Sequence, residues 1–262
     1  MPTRAASRPS VLITGAARRI GATLARAFGA AGWHVVLHHH DRHARAEAKA
    51  LAASLPSAET VACDLLDAEA ALAMVRKLAA RLADWRLLVN CAAVFRFDDA
   101  TALDPALFAE AMRVNAETPI RMAQAYLAPP AEGGARATGG RRVIQFTDMK
   151  VLNPNPDFFS YTLAKQAMAA SVKLLAMGAG GPQDRIYGLA PGAMLPSWDQ
   201  AAHEHETSGR MNLLQRLTLP EELAEAALFL AEGWLASGET LCIDSGQHLL
   251  AQPRDVLYLA RT

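Results

Sequence analysis

Tyr161 and Lys165 stand four residues apart in the stretch YTLAK, inside an alanine-rich run whose spacing predicts a helix. On a helix, residues four apart share a face one turn apart. A free phenol ionises near pH ~10, and an ammonium beside it favours the phenolate. The pair therefore predicts a tyrosine tuned as a proton donor or relay. Thirteen positions earlier, Asp148 directly follows an apolar run at 142–147. A carboxyl group at the end of a parallel strand opens onto the crevice where ligands bind. There it accepts from an amidine-like N–H, or relays a proton if desolvation raises its pKa. The competing role is a cap for the turn at Asn153-Pro154.

A second constellation lies near the N-terminus, where VLIT runs into Thr14-Gly15-Ala16-Ala17-Arg18-Arg19-Ile20-Gly21. A strand, a glycine turn and a helix in that order aim backbone N–H groups and the positive helix end at a phosphate. Gly15 permits the tight turn and Gly21 the close packing of helix on strand. An ordinary tight turn is the alternative. Arg18 and Arg19 fall where a cofactor phosphate would lie, with Ile20 beside them. The next apolar run ends His38-His39-His40-Asp41-Arg42. A carboxylate at that strand end favours a 2′-hydroxyl, and basic groups accommodate a 2′-phosphate. His39 takes the carboxylate's place, and Arg18, His40 and Arg42 can together hold the phosphate. The expectation is NADP(H) rather than NAD(H), with Asp41 discordant. Asp64 is expected near the adenine edge or as a cap of the turn that follows it.

The triple histidine does not predict a metal site, because adjacent strand residues face opposite sides of a sheet. His203-Glu204-His205-Glu206 reads as a solvated polar stretch. Asn90 heads a small-residue segment, Asn90-Cys91-Ala92-Ala93, that lets a nicotinamide approach the backbone at Asn90 and Ala92. Phe95 then either covers a flat heterocycle or belongs to the core. Asn115 is polar within an otherwise apolar helical run, and either binds a water in a proton relay or satisfies a backbone kink.

These residues need a scaffold. Apolar runs at 10–14, 34–38, 60–62, 87–90, 142–147, 185–189 and 240–243 alternate with helical patterns at 20–31, 42–55, 68–82, 105–127, 160–177 and 220–230. Asp104-Pro105 and Pro220-Glu221-Glu222 mark helix starts. Alternation of this kind predicts one α/β domain over 1–262, a Rossmann-type doubly wound sheet of about seven parallel strands flanked by helices. Residues 128–140 are expected to form a mobile surface loop. Residues 194–219 are expected to form a substrate lid. Residues 252–262 are a C-terminal extension apolar enough to pack on the chain itself or on a neighbouring subunit.

The 262 residues carry 26 basic and 26 acidic side chains, a net charge of +0. That balance gives no footprint for nucleic acid or an anionic membrane. No apolar run is long enough to span a membrane, and three widely spaced cysteines fit a reducing compartment. A soluble cytoplasmic protein is expected.

Taken together, TGAARRIG, NCAA, Asn115, YTLAK and the APG at 190–192 resemble the short-chain dehydrogenase/reductase family along essentially the whole chain. Within it, the sequence is most similar to the pteridine reductases and bacterial dihydromonapterin reductases. Arg19 replaces the usual middle glycine, Asp148 the usual serine, and Phe95 falls where those enzymes stack a pterin. Cys91, Ala93 and Tyr187 depart from the pattern.

The resemblance implies that Arg19 contacts cofactor phosphate and pterin, and that Phe95 stacks the pterin. It implies that Asp148 and Tyr161 bind its polar edge and relay a proton. Lys165 would bind the nicotinamide ribose, while Asn90, Pro191 and Gly192 shape the nicotinamide pocket. The implied activity is NADPH-dependent reduction of a dihydropterin at C6 with protonation at N5, in a homotetramer. A ketone or alcohol oxidoreductase on the same scaffold is the alternative, and a non-catalytic dinucleotide-binding protein a third.

Overall fold

The computed structural model describes residues 8–40, 42–129 and 139–261, with the side chains of Arg42 and His43 also outside the description. Most of the 128–140 loop expected from the sequence therefore lies outside the described residues. Seven short strands form one sheet: β1 (Ser10–Ile13), β2 (His34–His39), β3 (Ala58–Ala62), β4 (Trp85–Asn90), β5 (Arg142–Phe146), β6 (Arg185–Pro191) and β7 (Thr240–Ile243). Their order is β3-β2-β1-β4-β5-β6-β7, and every pairing is parallel. β1 and β5 are buried along their whole length. That follows from helices covering both faces, which makes buried parallel strands read as continuous apolar runs.

The helices are α1 (Arg19–Ala30), α2 (Arg42–Ser54), α3 (Ala68–Arg81), α4 (Pro105–Met112), α5 (Thr118–Leu127), α6 (Phe159–Gly178), α7 (Ala202–Gly209), α8 (Pro220–Glu232) and the single turn α9 (Val256–Leu259). One core layer packs Leu24 and Phe28 of α1 and Leu223 and Leu230 of α8 against Val11, Val89 and Ile144. The other packs Val75 of α3, Met122 of α5 and Val172 of α6 against Leu12, Leu88 and Val143. The strand order reverses between β1 and β4, and the crevice at that switch point is where ligands of such sheets bind.

Two departures from the sequence expectation have physical causes. The helix expected over 105–127 is interrupted by a wider turn at Arg113–Glu117, closed by the Thr118 amide on the Arg113 carbonyl. Pro119 supplies the reason, since it has no N–H for the carbonyl four residues back, that of Asn115, and its ring crowds that carbonyl. The third strand begins at Ala58, because residues 58–62 pair in register with 35–39 of β2 despite their polar composition.

Candidate active site

The glycine turn leaves β1 at the switch point. Gly15 has φ +67°, and a Cβ there would lie 3.0 Å from the Ala92 Cα past β4. A Cβ on Gly21 would sit 2.3 Å from the Gly15 carbonyl oxygen, so only glycine lets α1 start this close to the turn. Arg18 caps α1 with no side-chain hydrogen bond, so its side chain satisfies none of the first-turn amides. A turn this tight, ending in uncapped amides, fits a pyrophosphate. Thr14 ties the turn to the neighbouring strand: its Oγ1 accepts from the amides of Cys91 at 2.9 Å and Ala92 at 3.0 Å.

His38 fixes the turn from β2. Its Nδ1 accepts from the Gly15 amide at 3.2 Å, and its Nε2 donates to the Cys63 carbonyl at 2.9 Å. An amide can only donate, so Nδ1 carries no proton and the ring is neutral. Burial accordingly pulls the His38 pKa down to about 4. His39 is buried too, whereas His40 is exposed beside Asp64 at 3.4 Å. Asp64 also caps the following turn, accepting from the Leu66 amide at 2.9 Å. Arg18 is paired with Glu47 of α2. Arg42 and Asp41, expected in this cluster, carry side chains outside the description.

At the other side of the crevice, the Tyr161 hydroxyl donates to Asp148 Oδ2 at 2.6 Å. Asp148 Oδ1 accepts from the Lys150 amide at 2.9 Å, so the capping role and the contact with Tyr161 coexist. Lys165 Nζ donates to the Phe146 carbonyl at 2.6 Å and lies 5.6 Å from the Tyr161 ring centroid. The tuning expected from spacing alone is reversed. Desolvation and then the Asp148 charge push Tyr161 well above the usual phenol range. Desolvation also lifts the Asp148 carboxyl and lowers the Lys165 ammonium. Tyr161 is therefore a held proton donor rather than a phenolate.

Asn115 and Asn90 hold backbone. Asn115 Oδ1 accepts from the Val94 amide at 2.8 Å and its Nδ2 donates to the Val94 carbonyl at 2.9 Å. Asn90 turns its side chain inward to Pro119 O at 3.1 Å and Gln145 Oε1 at 2.9 Å. Pro191-Gly192 is fixed by the last strand's exit, where Gln247 Oε1 accepts from the Ala193 amide at 2.8 Å. Phe95 is not core: it is 45% exposed, with its ring edge-on to Tyr161 at 4.7 Å. Arg19, at φ +51°, reaches from the glycine turn to the Pro196 carbonyl at 2.8 Å, with Trp198 5.7 Å from its guanidinium.

A family model described as enoyl-(acyl carrier protein) reductase matches residues 15–248. The chain belongs to the short-chain dehydrogenase/reductase family. Within this family of oxidoreductases it is similar to galactitol 2-dehydrogenase (L-tagatose-forming) of Cereibacter sphaeroides, 31% identical over 89% of this chain and 92% of that one. It is similar to pteridine reductase 1 of Leishmania tarentolae, 27% identical over 94% and 99%. Among solved structures it is similar to FolM alternative dihydrofolate reductase 1 from Brucella suis in complex with NADP. That likeness has TM-score 0.83 and 31% identity, covering 95% of this chain and 98% of that one.

Sequence reasoning missed the roles of three residues of this candidate site. Thr14 and His38 act through long-range hydrogen bonds that no local pattern encodes. Asp98 is buried and accepts from the Ser160 hydroxyl at 2.5 Å, joining the Phe95 loop to the start of α6. Tyr187, a departure from the family pattern, is a core residue whose hydroxyl donates to the Leu235 carbonyl at 2.7 Å. Among the described residues no group of three His, Cys, Asp or Glu side chains is placed to hold a metal, and no helix is long and apolar enough to cross a membrane.

Proposed function

We propose that the protein reduces a dihydropterin to the tetrahydro form with NADPH. The observation that carries this reading is the 2.6 Å contact of Tyr161 with Asp148 beside the half-exposed Phe95 ring. A serine hydroxyl suits a carbonyl oxygen, whereas a carboxyl group suits the amino-pyrimidine edge of a pterin. An exposed aromatic face offers a stacking partner for a flat bicyclic ring.

The fit to NADP(H) rests on the cradle that Gly15 and Gly21 leave open. The first-turn amides of α1 would hold the pyrophosphate, and Arg18, His39 and His40 with Arg42 the 2′-phosphate end. Lys165 would hold the nicotinamide ribose, with Asn90, Ala92 and Gly192 lining the ring's pocket. When bound there, the reduced cofactor supplies the hydride. The chain's own residues do the rest: Phe95 orients the ring, and Asp148 binds its polar edge. Tyr161 holds the proton destined for N5, and Arg19 ties the turn to residues 194–219. The NADP complex of the FolM relative and the pteridine reductase likeness support the reading. The homotetramer and the cytoplasmic location belong to the same proposal.

NADPH oxidation assayed with dihydromonapterin, dihydrobiopterin and dihydrofolate, beside a panel of ketones, tests the reading. Pterin turnover is expected, and turnover of ketones alone would overturn it. Asp148→Ser should lose pterin turnover and keep NADPH binding. A second reading, a ketone or alcohol oxidoreductase, is favoured by one observation. Desolvation raises the Asp148 pKa, and a protonated carboxyl can donate to a carbonyl oxygen as serine does.

A further inference from the structure

Phe158 has φ +55°, an outlier for a bulky aromatic residue, and α6, the helix of Tyr161 and Lys165, departs from it. Such a conformation persists where the surroundings over-determine it. Phe95 stacks on Phe158 with ring centroids 4.0 Å apart and planes 19° from parallel. Tyr258 of the C-terminal tail lies nearly parallel to Phe158 at 6.1 Å, and Phe97 meets both rings edge-on at 5.7 and 5.4 Å. Leu257 is buried against Phe158 and Tyr161. One aromatic wall therefore runs from Tyr161 and Phe95 to the tail.

Ion pairs pin that tail on both sides. Arg254 Nε donates to both oxygens of Asp157, at 2.9 and 2.7 Å, and the Asp255 amide adds a bond to the same carboxylate at 2.7 Å. Lys150 Nζ donates to Asp255 Oδ2 at 2.8 Å and to Asn155 at 2.7 Å. With the tail in place the side chains of Asp157 and Lys150 are 3% and 5% exposed, so releasing the tail takes an opposite charge from each. Farther on, Arg261 reaches Asp199 at 3.0 Å and Glu204 at 3.3 Å, within residues 194–219.

We propose that residues 252–261 are a positioning element of the substrate site, with Tyr258 as its working residue. Tyr258 holds Phe158, Phe158 backs Phe95, and Phe95 presents its remaining exposed surface to a flat heterocycle. The tail thereby sets substrate affinity from behind Phe158, one ring removed from the stacking ring, without touching the reacting atoms. This rests on the reading of Phe95 as the stacking residue.

The test compares full-length Tyr258→Ala and Tyr258→Phe with the parent protein. Loss of an aromatic pair should raise KM for dihydrobiopterin roughly three- to tenfold in Tyr258→Ala. Turnover number and NADPH affinity should stay within about twofold, and Tyr258→Phe should behave as the parent. Amide hydrogen exchange on the ligand-free protein should quicken at 95–98 and 158–162 in Tyr258→Ala, and not in β1 or α1. Unchanged KM, or equal losses of pterin and NADPH binding, would overturn the proposal. Exchange needs no substrate, so it separates the two ideas. Unchanged exchange at both segments sinks the tail's role, whereas faster exchange in a protein that turns over no pterin sinks only the pterin reading.

Discussion

The Gly15 amide donates to Nδ1 of His38 across 3.2 Å, and this bond exists only while the imidazole is neutral. His38 titrates near 6.5 in the unfolded chain and is held down at about 4 in the fold, with desolvation by burial the main cause. A histidine with a depressed folded pKa adds stability above its unfolded pKa, and that contribution is lost as pH falls through the folded value. Between pH 6.5 and about 4 the protein should therefore lose roughly 3 kcal/mol, at ~1.4 kcal/mol per pH unit. Thermal melts across that window should show the loss in the parent protein. A His38→Gln variant, which cannot titrate, should start lower and fall less; parallel curves would refute the assignment.

Arg18 and Glu47 form an exposed pair, 41% and 49% accessible. Such pairs contribute about 0–1 kcal/mol, yet this one competes with a 2′-phosphate for the guanidinium. Glu47→Ala should tighten NADPH binding by up to about fivefold and leave NADH binding unchanged. Fluorescence titration with both cofactors reads the difference. Equal shifts for the two would mean that Arg18 does not read a 2′-phosphate.

The carboxyl of Asp148 is lifted above the usual 3.8 by desolvation, against the hydrogen bond from Tyr161. A raised carboxyl pKa adds stability below the unfolded value and loses it as pH rises through the folded one. Asp148→Asn removes that titration. Its melting temperature relative to the parent should therefore climb as pH rises above the ordinary carboxyl value and through the parent's raised one. Turnover should drop by roughly a hundred- to ten-thousandfold, the usual weight of a proton-transfer group. NADPH affinity should hold within a few-fold. A variant with parental turnover would take Asp148 out of the chemistry.

Much of this was legible in the sequence because the signals are local. Strands buried on both faces read as apolar runs, and the glycine turn, the Tyr161–Lys165 spacing and the strand-end position of Asp148 are all short-range patterns. The polar start of β3 was not legible, because its pairing with β2 decides it. The break at 113–117 had a signal, Pro119, whose effect falls four residues upstream on Asn115. The direction of Tyr161's tuning was misjudged because spacing brings Lys165 near, but only the fold shows its ammonium spent on the Phe146 carbonyl. The roles of His38, Thr14 and the tail depend on contacts between distant segments, which periodicity does not carry.

Asp98 is the sharpest case of such a distant contact. α6 begins at Phe158 with no side-chain cap of its own, although it must aim Tyr161 at Asp148. Asp98, 62 residues before Ser160, supplies the missing cap. Its carboxylate accepts from the Ser160 amide at 3.0 Å and the Ser160 hydroxyl at 2.5 Å, while its carbonyl accepts from the Phe159 amide at 3.3 Å. A negative group at a helix start also meets the positive end of the helix dipole. Removing a helix cap costs about 0.5–2 kcal/mol, and here it also frees the loop that carries Phe95. Asp98→Ala should lower stability by about that amount and raise KM for the flat substrate. Turnover number should fall as well, since both the stacking ring and the proton donor shift. Asp98→Asn keeps one acceptor and should recover most of the stability and part of the KM. Chemical denaturation and steady-state kinetics on the two variants decide it: an Asp98→Ala enzyme with parental KM would show that the loop and the helix are positioned independently.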